Sequence, residues 1–180
     1  MKKSFLAILL AITLLLSCGC HSATLEGYSL FRSTPLGFSM EYPSFWSAES
    51  NVDEGIAAFA SPQEGYSDQY LDSVSVQRFE PDMEGENAFT EYVKGYAENL
   101  KSTIRNFKLV NEAATTLDGE EAYKIVYEST SEDGKNQVRF MQIFAEHEDY
   151  FYSVTYIAEF SSYSYFMTYV EKMLSTFAFI

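Results

Sequence analysis

Beyond its first 21 residues the chain has one histidine, His147, and it stands in the run Glu146-His147-Glu148-Asp149. Each of these four side chains offers an oxygen or a nitrogen to a cation. Hard ions such as calcium or manganese accept such donors, and Glu132-Asp133 or Glu84 and Glu86 are further oxygens to draw on. Neighbouring residues of a strand point to opposite faces, so only a turn gathers all four. A charged turn is ordinarily a solvated one. The four are therefore read first as a solvent-facing hairpin turn and second as a site for calcium or manganese, with no cofactor expected.

Catalysis has less to work with. The sequence contains no G-x-S-x-G elbow, no glycine-rich phosphate loop and no H-E-x-x-H. A Ser-His-Asp set would need His147, placed in a turn flanked by acids and without a pocket that excludes water. The chain is expected not to be an enzyme. A hydrolase ranks third, behind a binding or accessory module and a cation-binding protein.

Cys18 and Cys20, the chain's 2 cysteines, carry a different chemistry. Met1-Lys2-Lys3 and the apolar run Phe5–Leu16 have the form of a signal peptide. The run falls short of the roughly 20 residues that span a bilayer. Leu15-Leu16-Ser17-Cys18 resembles the lipobox of bacterial lipoproteins. That resemblance implies loss of residues 1–17 and attachment of lipid, palmitate among it, to Cys18. Acyl chains hold a protein to a membrane at about 0.8 kcal/mol per buried methylene. The expected location is the extracytoplasmic face of the cell membrane. An ordinary secretory signal is the alternative. Cys20 is a poorer lipid site, preceded by Ser17-Cys18-Gly19, and Cys20-His21 on a tether makes a poor metal pair. The rest of the chain has no cysteine and no disulfide framework.

The formal charge is −14 over 180 residues, and removal of Lys2 and Lys3 with the leader makes it more negative still. An anionic surface of this size argues against nucleic acid as a partner. The chain is 47% hydrophobic and 17% aromatic, enough for one globular core and short for two. Its 15 Phe and 14 Tyr suit half-buried β-structure.

The elements that would position these groups follow from pattern. Leu109–Thr116, Glu121–Thr130, Gln137–Ala145 and Tyr150–Phe160 alternate and are joined by Asp118-Gly119, Asp133-Gly134 and Glu146–Asp149. Asp-Gly between such runs signals a tight hairpin turn, so an antiparallel meander is expected. Val138, Phe140 and Phe144 against Met141 and Ile143 make one strand apolar on both faces, hence central and covered twice. Earlier, Phe38, Met40 and Tyr42 alternate with Ser39 and Glu41, predicting one core face and one wet face. Short strands over Ile56–Ala60 and Asp72–Phe79 come next. Phe89, Tyr92, Val93, Tyr96, Leu100, Ile104 and Phe107 define the stripe of one helix, capped by Glu86 or Asn87. Phe166, Tyr169, Val170, Met173, Leu174 and Phe177 define a second over Ser162–Phe177, capped by Ser161 or Ser162. Trp46 is read as a core plug in preference to a ligand-stacking residue. The fold class is α+β, a mainly antiparallel sheet flanked by two main helices.

Gly37-Phe38-Ser39-Met40-Glu41-Tyr42-Pro43 with Trp46 resembles the opening strand of PsbP-like domains. Thr115-Thr116-Leu117-Asp118-Gly119 with Ala122-Tyr123, and the closing run from Tyr152 to Phe177, are similar to later parts of that family. The family contains the extrinsic photosystem II subunit PsbP, and a Ran-binding nuclear import factor shares its fold. The resemblance spans Thr34 to Phe179 and implies an α-β-α sandwich. Its motifs are turn and core residues, so they imply a fold and no chemistry. The expected division is a signal peptide at 1–17, a lipid anchor and polar tether at 18–33 with Tyr28–Phe31 pairing at a sheet edge, and a PsbP-like domain at 34–180. The expected role is a membrane-anchored, non-enzymatic binding or accessory module. A protein partner at the cell surface, or a carbohydrate, would be met by exposed aromatics such as Tyr66, Tyr70, Tyr163 and Tyr165.

Overall fold

The computed structural model describes residues 24–63, 72–83, 85, 87–130 and 137–180. The signal peptide, Cys18, Cys20-His21, Tyr66, Tyr70, Glu84, Glu86 and the Glu132–Gly134 stretch lie outside the described residues. Five strands come first: β1 (Tyr28–Ser33), β2 (Phe38–Pro43), β3 (Ser47–Asn51), β4 (Ile56–Ala60) and β5 (Ser73–Phe79). Helix α1 (Ala88–Thr103) leads into the meander β6 (Lys108–Leu117), β7 (Glu120–Thr130), β8 (Gln137–His147) and β9 (Tyr150–Glu159). Helix α2 (Tyr163–Ser175) and the short β10 (Ala178–Phe179) close the chain. Among the described residues no helix is long and apolar enough to cross a membrane.

The strands divide into two antiparallel sheets, where one had been expected. The smaller runs β1-β2-β10 and the larger β3-β4-β5-β9-β8-β7-β6. β8 is central in the meander, as its two apolar faces require. On one face Ile125, Tyr127 and Phe144 meet Val93, Ala97 and Leu100 of α1. On the other, Met141, Ile143, Val154 and Tyr156 meet Phe166, Val170 and Met173 of α2, together with Phe38 and Met40 of the small sheet. The layers are thus α1, the large sheet, and α2 with the small sheet. Each fully buried Phe or Met side chain contributes about 1.5–3 kcal/mol to holding them together. Trp46 lies in this core, edge-on to Phe166 at 5.7 Å, as a plug.

The edge pairing expected for Tyr28–Phe31 is seen, as β1 pairs with β2 along its length, Tyr28 with Pro43 through Ser33 with Phe38. Other expectations are corrected. The second face of β2 is not wet. Ser39 and Glu41 are buried, since β2 is the middle strand of its sheet and the incoming chain covers it. Glu41 is satisfied there: its Oε2 accepts the Leu25 amide at 2.7 Å, and its own amide donates to Thr176 Oγ1 at 3.0 Å. Asn87 and Ser162 occupy the N-cap positions, yet neither side chain caps its helix. Ser162 Oγ instead donates to Asp72 Oδ1 at 2.8 Å and ties α2 to the start of β5. Helix α1 ends at Thr103, so Ile104 and Phe107 pack against its cluster from beyond the helix.

Candidate functional site

The hairpin that carries His147 is tighter than its sequence suggests. His147 pairs with Tyr150 and Glu146 with Phe151, which leaves Glu148 and Asp149 alone as the turn. Glu148 takes the left-handed φ of +54° that a two-residue turn demands. His147 is therefore the last residue of β8 and not a turn tip. Its ring lies flat on Phe179, with centroids 4.2 Å apart, and its Nδ1 is 3.2 Å from Glu120 Oε1. Among the described residues Glu120 is its hydrogen-bond partner, so no nucleophilic hydroxyl is poised beside it. Glu146, His147, Glu148 and Asp149 do not converge: among the described residues no three His, Cys, Asp or Glu side chains gather as metal ligands. His147 serves as a clasp between the meander and β10.

Of the aromatics expected at the surface, Tyr165 is 61% exposed and Tyr163 is not. Tyr163 is buried beside Tyr156, whose hydroxyl donates to its carbonyl at 3.0 Å. Burial pushes its phenol up to about 12. Tyr165 and the half-exposed Phe45 both meet Tyr169 edge-on.

Two open concavities lie elsewhere, on either side of β6. This strand is the last of the large sheet and pairs through its inner edge with β7. Helix α1 packs chiefly on β8, and α2 on β2 and β9. A cleft of about 720 Å³ separates α1 from the β6–β7 hairpin. Ala97 of α1 and Ala114 of β6 line it, with Phe89 and Tyr123 beside them. Its rim holds Lys94 and Lys101 against Glu98, Glu112 and Glu121, and the Tyr123 hydroxyl donates to Glu112. On the opposite face a cleft of about 740 Å³ separates α2 from the same strands, floored by Val126, Met141 and Ile143. Lys124, Asp118 and Glu171 stand around it. Acids outnumber bases in each cleft. Both volumes fall in the range of small-molecule and peptide sites, roughly 300–1,000 Å³.

The ion pairs of the domain are structural. Glu128 is buried at the far end of β7, with its Oε1 2.5 Å from Arg139 Nη2 and its Oε2 3.0 Å from Lys108 Nζ. Arg139 and then Lys108 hold its carboxyl below the usual range, against the opposing effect of burial. Gln142, also buried, bridges Tyr96 of α1 and Thr155 of β9 at 2.9 and 3.1 Å. Each such group is satisfied by another part of the fold.

A sequence profile of the PsbP-like proteins matches residues 22–179. The chain belongs to the PsbP-like family. Solved structures of low identity share the fold of this PsbP-like chain. The cyanobacterial PsbP of Synechocystis has a TM-score of 0.59 and 15% identity, over 92% of this chain and 99% of that one. A Pseudomonas aeruginosa protein of unknown function scores 0.56 at 20% identity, covering 80% and 91%. The Ran-binding protein Mog1p of Saccharomyces cerevisiae scores 0.54 at 12% identity, covering 84% and 95%. No curated protein matches this PsbP-like chain.

Proposed function

We propose that the chain is a lipoprotein anchored through Cys18 to the extracytoplasmic face of the cell membrane, and that its PsbP-like domain is a non-enzymatic accessory module that holds a protein partner. The observation that carries the binding role is the pair of clefts bordering β6. They are open, apolar at the floor and charged at the rim, and no nucleophile with its base stands in either. Among the described residues His147 is the one histidine, and its engagement with Phe179 and Glu120 argues against a role as general base. Mog1p, described as Ran-binding, is a case of this fold serving a protein–protein contact. The lipobox-like Leu15-Leu16-Ser17-Cys18 supports the anchor.

The test is position-specific photo-cross-linking of the full chain in membranes of its host. A photoreactive residue at Ala114, between the clefts, is compared with one at Ser50, exposed on the opposite edge strand β3. A discrete protein adduct from position 114 that position 50 does not form is the expected result. Equal patterns from both positions would refute the reading.

A further inference from the structure

We infer that β6 is a docking edge for an extended, cationic peptide segment of the partner, which adds to the large sheet as a further strand. This rests on the binding role proposed above and specifies its mode. An edge strand presents a row of unpaired backbone donors and acceptors, and folded proteins ordinarily blunt such edges with short length, bulges, lysine or proline. β3, at the opposite edge, is blunted by length, with only 5 residues. β6 has 10 residues and is blunted only at its start, where Lys108 precedes a break in register between Leu109 and Asn111. From Asn111 to Leu117 its pairing with β7 is regular, and the sequence there has no lysine or proline and Glu112 as its one charge.

Successive side chains of an added strand point to opposite faces. Beside β6 one set would enter the α1 cleft over Ala114 and the other the α2 cleft toward Val126. Main-chain hydrogen bonds to the edge supply affinity, and the two clefts select the side chains. The sign of the segment follows from charge. Acids exceed bases in each cleft, and the chain as a whole carries −14. Lysine or arginine in the segment is attracted, while a second copy of the chain is repelled by like charge.

The probe is a synthetic peptide of about ten residues, the length of β6, with alternating valine and threonine and lysines at both ends. A glutamate-ended counterpart is the control, and both are titrated into the full chain in detergent micelles. Binding of the lysine-ended peptide should slow amide exchange within 111–117. It should weaken about tenfold with glutamate ends and about tenfold in Ala114→Trp, which fills the α1 cleft from an exposed position. Glu112→Lys, also at an exposed position, should narrow the preference for lysine ends. Equal binding of both peptides, or protection outside β6, would overturn the inference. So would a chain dimer that Ala114→Trp dissociates, since it assigns the edge to a second copy. If neither peptide binds while the position-114 cross-link persists, strand addition is refuted and the binding role stands.

Discussion

The imidazole of His147 lies on the ring of Phe179, 7° from parallel, and so fastens the β8–β9 hairpin to the last strand. Phe179 is held a second way, its amide donating to Asp118 Oδ2 at 2.9 Å. Two meander turns thus grip β10. His147→Ala should lower stability by about 1–2 kcal/mol through lost packing and the lost Glu120 contact, read as the denaturant midpoint at constant slope. Calcium or manganese should leave the melting temperature of the parent chain unchanged, because a native-state ligand must raise it. A metal-dependent rise that His147→Ala removes would return the acidic turn to consideration.

Gly37 and Gly119 both sit at positive φ, +70° and +84°, but in different surroundings. A Cβ on Gly37 would collide with the Tyr152 hydroxyl, whereas around Gly119 there is open space. Gly119→Ala should cost only the left-handed penalty of about 1–2 kcal/mol. Gly37→Ala should cost distinctly more, since the buried Tyr152 ring or the turn before β2 must also give way. Equal losses in paired denaturation curves would contradict this packing.

Acid should unfold the domain partly through Glu128. Its folded pKa is lowered, chiefly by Arg139, below the ordinary 4.5. The stabilisation it supplies is therefore complete above that ordinary value and is lost as pH falls through the lower folded value. Glu128→Gln should remove about 1.5–3 kcal/mol at neutral pH, the worth of hydrogen bonds to charged groups, and flatten the stability profile below pH ~4.5. Unchanged curvature in that window would assign acid unfolding to other carboxylates.

Cys18→Ser should move the chain from the membrane pellet to the soluble extracytoplasmic fraction. An uncleaved leader would also hold the serine variant in the pellet, so intact mass of any pelleted variant is the companion measurement. Retention of the serine variant in the pellet with residues 1–17 removed would contradict the lipid anchor.

The meander was legible because Asp-Gly turns and two-sided apolar runs constrain one another, and the two helices were legible from their stripes up to Leu100 and Leu174, though Ile104, Phe107 and Phe177 lie beyond the helix ends. What escaped was set by neighbours rather than by local pattern. β3, Ser47-Ala48-Glu49-Ser50-Asn51, has no apolar alternation because it is an exposed edge. The two residues of β10 are too few to show a period, and Ser39 and Glu41 look wet until the chain around Leu25 and Thr176 covers them. His147 was assigned to a turn because four polar residues read as a loop, while pairing to Phe151 and Tyr150 takes two of them into strands. The clefts were not legible at all. They depend on how α1 and α2 sit on the sheet, and Asn111–Leu117 spells a strand without saying that it is the last of its sheet.

Residue-resolved amide exchange of the free full chain tests most directly whether β6 is an open edge. In an antiparallel pair alternate residues bond to the partner strand, so amides from 111 to 117 should fall into two classes. Those facing β7 should exchange slowly, and those between them nearly as fast as unstructured chain. Slow exchange at all of these positions would mean that the edge is already covered, and would contradict its role as the place where a partner strand is received.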